Sequence, residues 1–163
     1  MRLKTSYSAR EVAALTGLTA RQLQSWDVAR IFASAISPRR TTAGGFTERR
    51  YSPVDLLELI ALAELRRRGF APAALRRLMD TLRDYFRRRL SETLDDAGEM
   101  RLLTDGRGLF LRTRQGHIFD LLVDPTQPLV TGDGLSLRPV TGRARTRRRP
   151  AGPKTRAVRG RSS

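Results

Sequence analysis

The side chains best suited to recognition chemistry open the second of two short helices predicted in the segment YSAREVAALTGLTARQLQSWD, residues 7–27. In that helix Arg21 and Gln24 fall on the outer side, while Leu23 and Trp26 face inward. The chain is also strongly basic, with 32 Lys and Arg residues against 16 Asp and Glu. A helix that can lie in a groove, on a body that attracts phosphate, is typical of a protein that reads a DNA sequence.

Both predicted helices have start signals in the sequence. Ser8 with Glu11, and Thr19 with Gln22, have the spacing of a capping box, in which two side chains satisfy free amide groups at a helix start. Gly17 is expected to end the first helix in the left-handed conformation. The buried face of the first helix is predicted to consist of Val12, Ala13 and Leu15.

Catalytic and metal-binding chemistry finds little support in the sequence. His117 is the only histidine and there is no cysteine. No glycine-rich phosphate loop with its lysine, metal-ligand cluster or nucleophile elbow is present. Asp95-Asp96 is best explained as a helix end. We therefore expect no catalytic residue, no metal and no cofactor, and a protein that is not an enzyme.

The positive charge is concentrated towards the C-terminus. The chain has a net charge of +16, and residues 142–163 contain nine basic residues and no acid. This composition predicts a disordered Arg-rich tail and favours a polyanionic partner, although a solubilising extension is the simpler explanation. The tail has no apolar face, so a membrane surface is disfavoured. The sequence contains no signal peptide pattern, and we expect a cytoplasmic, nucleoid-associated protein.

Residues 28–51 form a loop with strand potential, centred on a predicted hairpin tip at Gly44 and Gly45. Two basic pairs, Arg39-Arg40 and Arg49-Arg50, flank that tip. A solvated turn and a wing beside a DNA-reading helix both explain these pairs.

Two longer helices are predicted next. The first begins at Ser52-Pro53, is expected to be the centre of the core, and ends at Gly69, where Phe70 packs back. The second begins near Pro72 and is predicted to run to about residue 94. Its apolar stripe consists of Leu75, Leu78, Met79, Leu82, Phe86 and Leu90. The stripe suits either a helix that closes its own domain or a helix that pairs with a second subunit.

Three strand-like runs follow at residues 100–104, 108–113 and 117–123, and Pro125 and Pro128 are expected to end them. The predicted fold is mainly α: a winged helix-turn-helix, a linking helix, a small C-terminal β-meander and a disordered basic tail. The corresponding domain boundaries are 1–79, 80–97, 98–141 and 142–163. The meander should pack on the helices or pair across a dimer.

Several spaced motifs resemble the MerR family of winged helix-turn-helix transcriptional regulators over residues 7–79. The matching residues are Glu11-Val12-Ala13, Thr16-Gly17 and Trp26-Asp27, the run RRYSPVDL at 49–56, and the run LRRRGF at 65–70. Residues 100–123 do not resemble the usual effector domain of that family.

The resemblance implies a set of DNA contacts. Thr19, Arg21, Gln22 and Gln24 would lie at or near the major groove, and Trp26 would pack and touch the DNA backbone. Arg39, Arg40, Arg49 and Arg50 would hold phosphates from the wing, with Tyr51 packed beside them. The implied protein is a homodimer that binds an inverted repeat in double-stranded DNA and acts together with RNA polymerase. An alternative is an antitoxin-like interaction protein that binds a protein partner through the β-meander and uses DNA binding for autoregulation.

Overall fold

The computed structural model describes residues 4–34, 36, 39–40, 47–129 and 136–142, with Arg39–Arg40 and Thr47–Glu48 described by their backbone alone. The elements are β1 (Tyr7–Ser8), α1 (Ala9–Thr16), α2 (Ala20–Val28), β2 (Arg39–Arg40), β3 (Thr47–Glu48), β4 (Arg50–Tyr51), α3 (Pro53–Arg67), α4 (Pro72–Asp84), a 3₁₀ helix (Leu90–Thr93), β5 (Met100–Thr104), β6 (Leu109–Thr113), β7 (Ile118–Asp120), β8 (Asp124–Pro128) and β9 (Arg138–Pro139). The mainly α prediction is confirmed only in part. The described residues form four α-helices, followed by a five-stranded antiparallel sheet in the C-terminal part.

The predicted start of α1 is confirmed. The Ser8 hydroxyl oxygen accepts a hydrogen bond from the Glu11 amide at 3.2 Å, and a Glu11 carboxylate oxygen accepts one from the Ser8 amide at 3.3 Å. The predicted buried face is wrong at Leu15, which is 47% exposed, whereas Thr16 is buried. Thr16 lies one helical turn beyond Val12, on the same inward face, and its hydroxyl donates to the Val12 carbonyl at 2.7 Å.

Helix α3 is the centre of the core, as predicted. Ser52 caps it through a capping box with Asp55, and its apolar side chains Leu59, Leu62 and Leu65 are fully buried. After α3 ends, Gly69 takes a φ of 103° and Phe70 packs back into the core.

The helix predicted from Pro72 to about residue 94 is wrong in its length, because α4 ends at Asp84. Arg87 takes a φ of 55°, which interrupts any right-handed helix, and the chain resumes as a 3₁₀ helix at Leu90. The physical reason for the shorter helix is a tertiary contact, which the spacing of apolar residues does not reveal. Arg89 and Ser91 turn towards α3 to reach the buried carboxylate of Glu58.

Glu58 attaches this linking segment, residues 85–93, to the helical core. Its side chain is 3% exposed. One carboxylate oxygen lies 2.5 Å from Arg89 Nη2, and the other accepts a hydrogen bond from the Ser91 amide at 3.1 Å. A buried carboxylate requires such partners, so the path of the linking segment is set by α3.

The apolar stripe of α4 is covered within the chain. Leu75, Leu78 and Leu82 are at most 1% exposed, and Leu90 is buried with them despite the end of the helix. The stripe was predicted either to close its own domain or to pair with a second subunit, and for these leucines the first interpretation is confirmed.

The C-terminal sheet has the strand order β8-β7-β6-β5-β9, and every pair is antiparallel. The three predicted runs form its β5, β6 and β7. The expectation that Pro125 and Pro128 end the run is wrong, because both lie in β8. Strand β8 is an edge strand, and proline is tolerated there because one side of an edge strand needs no ladder hydrogen bond.

Both faces of the central strands are covered. Leu102 and Leu111 are fully buried and join the helical core. Their neighbours Leu103 and Phe110 point to the opposite face, because side chains alternate along a strand, and they are only 2% and 5% exposed. The sheet thus packs on the helices, one of the two arrangements expected. The predicted Arg-rich tail lies outside the described residues except for Gly142, and the domain boundaries stay predictions.

Candidate nucleic-acid interface

The start of α2 is fixed by a second capping box, as predicted. The Thr19 hydroxyl oxygen accepts a hydrogen bond from the Gln22 amide at 3.0 Å, and Gln22 Oε1 accepts one from the Thr19 amide at 2.9 Å. Both side chains are exposed, and their roles as DNA contacts stay predictions. Their oxygen atoms are engaged in the helix start, which leaves Gln22 its amide group as the donor for a further partner.

The turn between α1 and α2 is held from α3. Arg67 Nη1 donates to the Thr16 carbonyl at 2.9 Å, and Arg67 Nη2 donates to Glu64 at 2.9 Å. These Arg67 hydrogen bonds hold the pKa of the Glu64 carboxyl below its ordinary value of 4.5. Gly17, next in the turn, has a φ of 78°, and a Cβ added there would lie 3.4 Å from Arg67 Nη1.

Arg67 was missed by the sequence reasoning, which identified residues 65–70 only as part of a family motif. A weak signal exists in α1 itself, which has no basic residue in its last turn. Carbonyl groups at a helix end are stabilised by a cation, and in this fold the cation comes from another helix.

The outer face of α2 presents Arg21, Gln24, Ser25 and Val28, spaced like i, i+3, i+4 and i+7 of a helix. Arg21 makes no hydrogen bond or ion pair with any residue that the structure describes. Val28 is 78% exposed and was not among the predicted contacts. Arginine and glutamine can donate to base edges in the major groove, and an apolar side chain can contact the thymine methyl group.

Strands β2 and β3 form a two-stranded antiparallel ribbon after α2. Arg39 pairs with Glu48 and Arg40 with Thr47 along the backbone. The predicted hairpin tip, with Gly44 and Gly45, lies outside the described residues, as do the side chains of Arg39 and Arg40. The wing and its phosphate contacts therefore stay predictions.

Arg49 faces α2. Its Nη1 lies 2.8 Å from Asp27 Oδ2, and the two side chains are 32% and 41% exposed. The charges are in contact without a well-aligned hydrogen bond. This pair joins the end of α2 to the chain between β3 and β4, and the phosphate contact predicted for Arg49 stays a prediction.

Trp26 and Tyr51 are core residues, at 5% and 3% exposure. Burial raises the pKa of the Tyr51 hydroxyl above 10.0, more strongly than the adjacent Arg49 lowers it. Trp26 turns inward from α2, and Tyr51 pairs across the strands with Tyr7. Both predicted aromatic contacts thus support the interface from beneath.

Arg50 ties the ribbon to the N-terminal segment. Its Nη2 donates to the Ser6 hydroxyl at 2.6 Å, and its backbone pairs with Ser8 between β4 and β1. The ten predicted site residues therefore separate into four exposed residues at α2, the joining residues Arg49 and Arg50, two buried aromatic residues, and Arg39 and Arg40, whose side chains lie outside the described residues.

No group of three or more His, Cys, Asp or Glu residues suited to a metal ion occurs in the described part of the chain. Within the same residues no helix is long and apolar enough to span a membrane.

Two capped helices joined by a tight turn, with an exposed polar face on the second helix, define the helix-turn-helix class of DNA-binding domain. Residues 7–82 match the family described as MerR HTH family regulatory protein, which supports a MerR-family helix-turn-helix segment in this part of the chain. This confirms the predicted resemblance and indicates a DNA-binding regulator of transcription. The match ends within α4, before the linking segment and the sheet, and no curated protein sequence matches the chain.

Proposed function

We propose that the chain is a sequence-specific transcriptional regulator that binds an inverted repeat in promoter DNA as a homodimer. The observation that carries this proposal is the outer face of α2, where Arg21 and Gln24 are exposed. Their donors and acceptors suit base edges, and the net charge of +16 favours phosphate contacts in any sequence.

The homodimer is proposed because a two-fold protein matches a two-fold DNA site. Since Leu75, Leu78 and Leu82 are covered within the chain, the dimer would use a surface other than the α4 stripe. Sedimentation of the full chain, alone and with DNA, measures this directly. A monomer on a single half-site would contradict the proposal.

The wing is proposed to place Arg39 and Arg40 on phosphates, and the DNA is proposed to be bent or untwisted so that contacts with RNA polymerase change. A regulator of this kind acts in the cytoplasm and catalyses no reaction. The antitoxin-like alternative would need an exposed sheet surface for its partner. The burial of Leu103 and Phe110 on the outer face of the sheet disfavours it.

The decisive experiment is the selection of bound sequences from a random pool of double-stranded DNA. The full chain is compared with a shortened chain ending at Gly142, which keeps the packing of Gly142 near Leu57. We expect both to recover the same inverted repeat. Recovery of no common sequence would refute sequence-specific recognition and leave binding to the basic tail.

Arg21→Ala tests the role of α2, with Arg107→Ala as the charge-matched control. Arg107 is exposed in the β5–β6 loop of the C-terminal sheet, outside residues 7–82. Only the Arg21 change should alter the selected sequence. Equal effects of the two changes would mean that Arg21 contributes only its charge.

A further inference from the structure

A cleft of about 520 Å³ lies between the segment that leaves α2 and the segment that leaves α4. Ile31 and Phe32 line it after α2, Met79 and Leu82 line it from α4 itself, and Leu90 lines it from the 3₁₀ helix. Its volume falls within the range of roughly 300–1,000 Å³ that is usual for small-molecule sites. Ala33 and Met79 are the apolar lining residues that a ligand can reach, because Ile31, Phe32, Leu82 and Leu90 are at most 7% exposed.

The charges of the cleft favour an anion. Its lining includes four arginines and only two acids, Asp27 and Glu58. Both acids already have partners, because Asp27 pairs with Arg49 at 2.8 Å and Glu58 with Arg89 at 2.5 Å. The acids therefore offer little to a cationic ligand.

Arg30 is the arginine best placed to bind that anion. Its side chain makes no hydrogen bond or ion pair with the residues that the structure describes, and it is exposed at the rim. Its φ of 57° lies in the left-handed region, which arginine rarely adopts. The fold imposes this conformation, since the amides of Ile31 and Phe32 both donate to the Trp26 carbonyl, at 2.9 and 3.3 Å.

Two further arginines of the cleft have partners that a ligand can replace. Arg83 pairs with Asp84 at 2.8 Å and with Asp80 at 3.0 Å, and Arg88 pairs with Glu99 at 2.7 Å. Asp84 and Glu99 are 65% exposed at the surface, and Asp80 is 40% exposed. Exposed ion pairs of this kind contribute little stability, so replacing the surface carboxylate by the carboxylate of a ligand costs little free energy.

We propose that this cleft binds a small amphiphilic carboxylate. Its apolar part would contact Ala33 and Met79, and its carboxylate would pair with Arg30. A bound ligand would join the segment between α2 and the ribbon to α4, and so affect how α2 and the ribbon are held. This coupling to DNA, though not the binding itself, rests on the proposed function. By linkage, DNA would change the ligand affinity by the same factor.

The test titrates the full chain with decanoate and with decanol, which has the same chain length and no charge. Trp26, the only tryptophan, lies next to the cleft segment and serves as the fluorescence reporter, with calorimetry as the second measurement. We expect saturable binding of one decanoate per chain and roughly tenfold weaker binding of decanol, because decanol cannot form the charge-assisted hydrogen bond. Equal binding of the two, or tighter binding of decyltrimethylammonium, would overturn the proposal.

Arg30→Asn is the matched variant, because asparagine accepts the left-handed backbone and has no charge. It should weaken decanoate by about tenfold and leave decanol unchanged. Arg107→Asn removes the same charge elsewhere and should change neither. Ala33→Phe places a ring in the cleft lining and should weaken both ligands. If Arg30→Asn and Arg107→Asn weaken decanoate equally, binding is non-specific and the proposal fails.

These titrations contain no DNA, so they separate the two proposals. Decanoate binding without a selected DNA sequence would retain the ligand site and refute the proposed function. A selected DNA sequence without saturable decanoate binding would retain the proposed function and refute the ligand site.

Discussion

Replacement of Arg67 by alanine should loosen the turn between the two DNA-facing helices while leaving every predicted DNA contact in place. Arg67 Nη1 donates to the Thr16 carbonyl at 2.9 Å, and no other charged side chain of the described residues is seen to contact this carbonyl. Arg68→Ala is the matched control. Arg68 belongs to the same helix end and also pairs with Glu64, at 3.4 Å, but it makes no contact with the turn.

The expected loss of stability follows from the exposed fraction of the Arg67 side chain. A hydrogen bond to a charged group contributes about 1.5–3 kcal/mol, and the Arg67 side chain is 37% exposed, so about 1 kcal/mol is expected after screening. Loss of the exposed Arg68–Glu64 pair should change stability by about 0.3 kcal/mol. In a chain of this size 1 kcal/mol corresponds to a Tm decrease of roughly 2–4 °C.

The assays are thermal unfolding and binding to the selected DNA sequence. We expect Arg67→Ala to bind about fivefold more weakly than Arg68→Ala, because about 1 kcal/mol of positioning is removed with the same change in charge. If the two variants have the same Tm and the same DNA affinity, Arg67 acts only as a surface charge and the positioning role is refuted.

The stability difference should also depend on pH. The Arg67 hydrogen bonds lower the pKa of Glu64 from its ordinary 4.5, so the ion pair contributes fully above pH 4.5 and is lost as pH falls through the lowered folded value. The Thr16 carbonyl does not titrate. The difference between the natural chain and Arg67→Ala should therefore shrink in acid without vanishing, and a difference that grows in acid would contradict this assignment.

Three other outcomes are expected. Arg21→Ala should reduce specific DNA affinity by about 1–3 kcal/mol and relax one position of the selected site; uniform weakening on all sequences would instead identify a phosphate contact. Glu58→Gln should lower the free energy of unfolding in urea by about 2 kcal/mol, because it removes the buried charge and leaves its half-exposed partner Arg89 unpaired, whereas Glu99→Gln at an exposed pair should change it by no more than about 0.5 kcal/mol. Equal losses would refute the anchoring role of Glu58. Ending the chain at Gly142 should reduce the dependence of log affinity on log salt by several units, at about 0.9 for each phosphate that the tail neutralises, and an unchanged slope would show that the tail does not bind DNA.

Local signals in the sequence predicted the start of each DNA-facing helix correctly. The capping pairs Ser8 with Glu11 and Thr19 with Gln22 each lie three residues apart, and the structure forms both. The loop at Asp105-Gly106 is also locally stabilised, since Asp105 accepts hydrogen bonds from two amides of its own loop. Such interactions are available to the chain before the rest of the fold exists.

Tertiary contacts determined where α4 ends and which aromatic residues are buried, and local sequence patterns do not contain this information. The stripe from Leu75 to Leu90 has helical spacing throughout, yet the helix stops because Glu58 binds Arg89, 31 residues further along the chain. The family resemblance implied that Tyr51 packs beside the wing arginines, and its pairing with Tyr7 in the fold buries it in the core.

The candidate site shows the same division. The exposure of Arg21 and Gln24 followed from the period of a single helix, so the sequence determined it. The support of the turn by Arg67 joins residues that are 51 positions apart. The choice among three consecutive arginines, Arg66, Arg67 and Arg68, has no local signal. Only the packing of α3 against α1 brings one of these guanidinium groups to the Thr16 carbonyl, because hydrogen bonds depend on distances that chain folding sets.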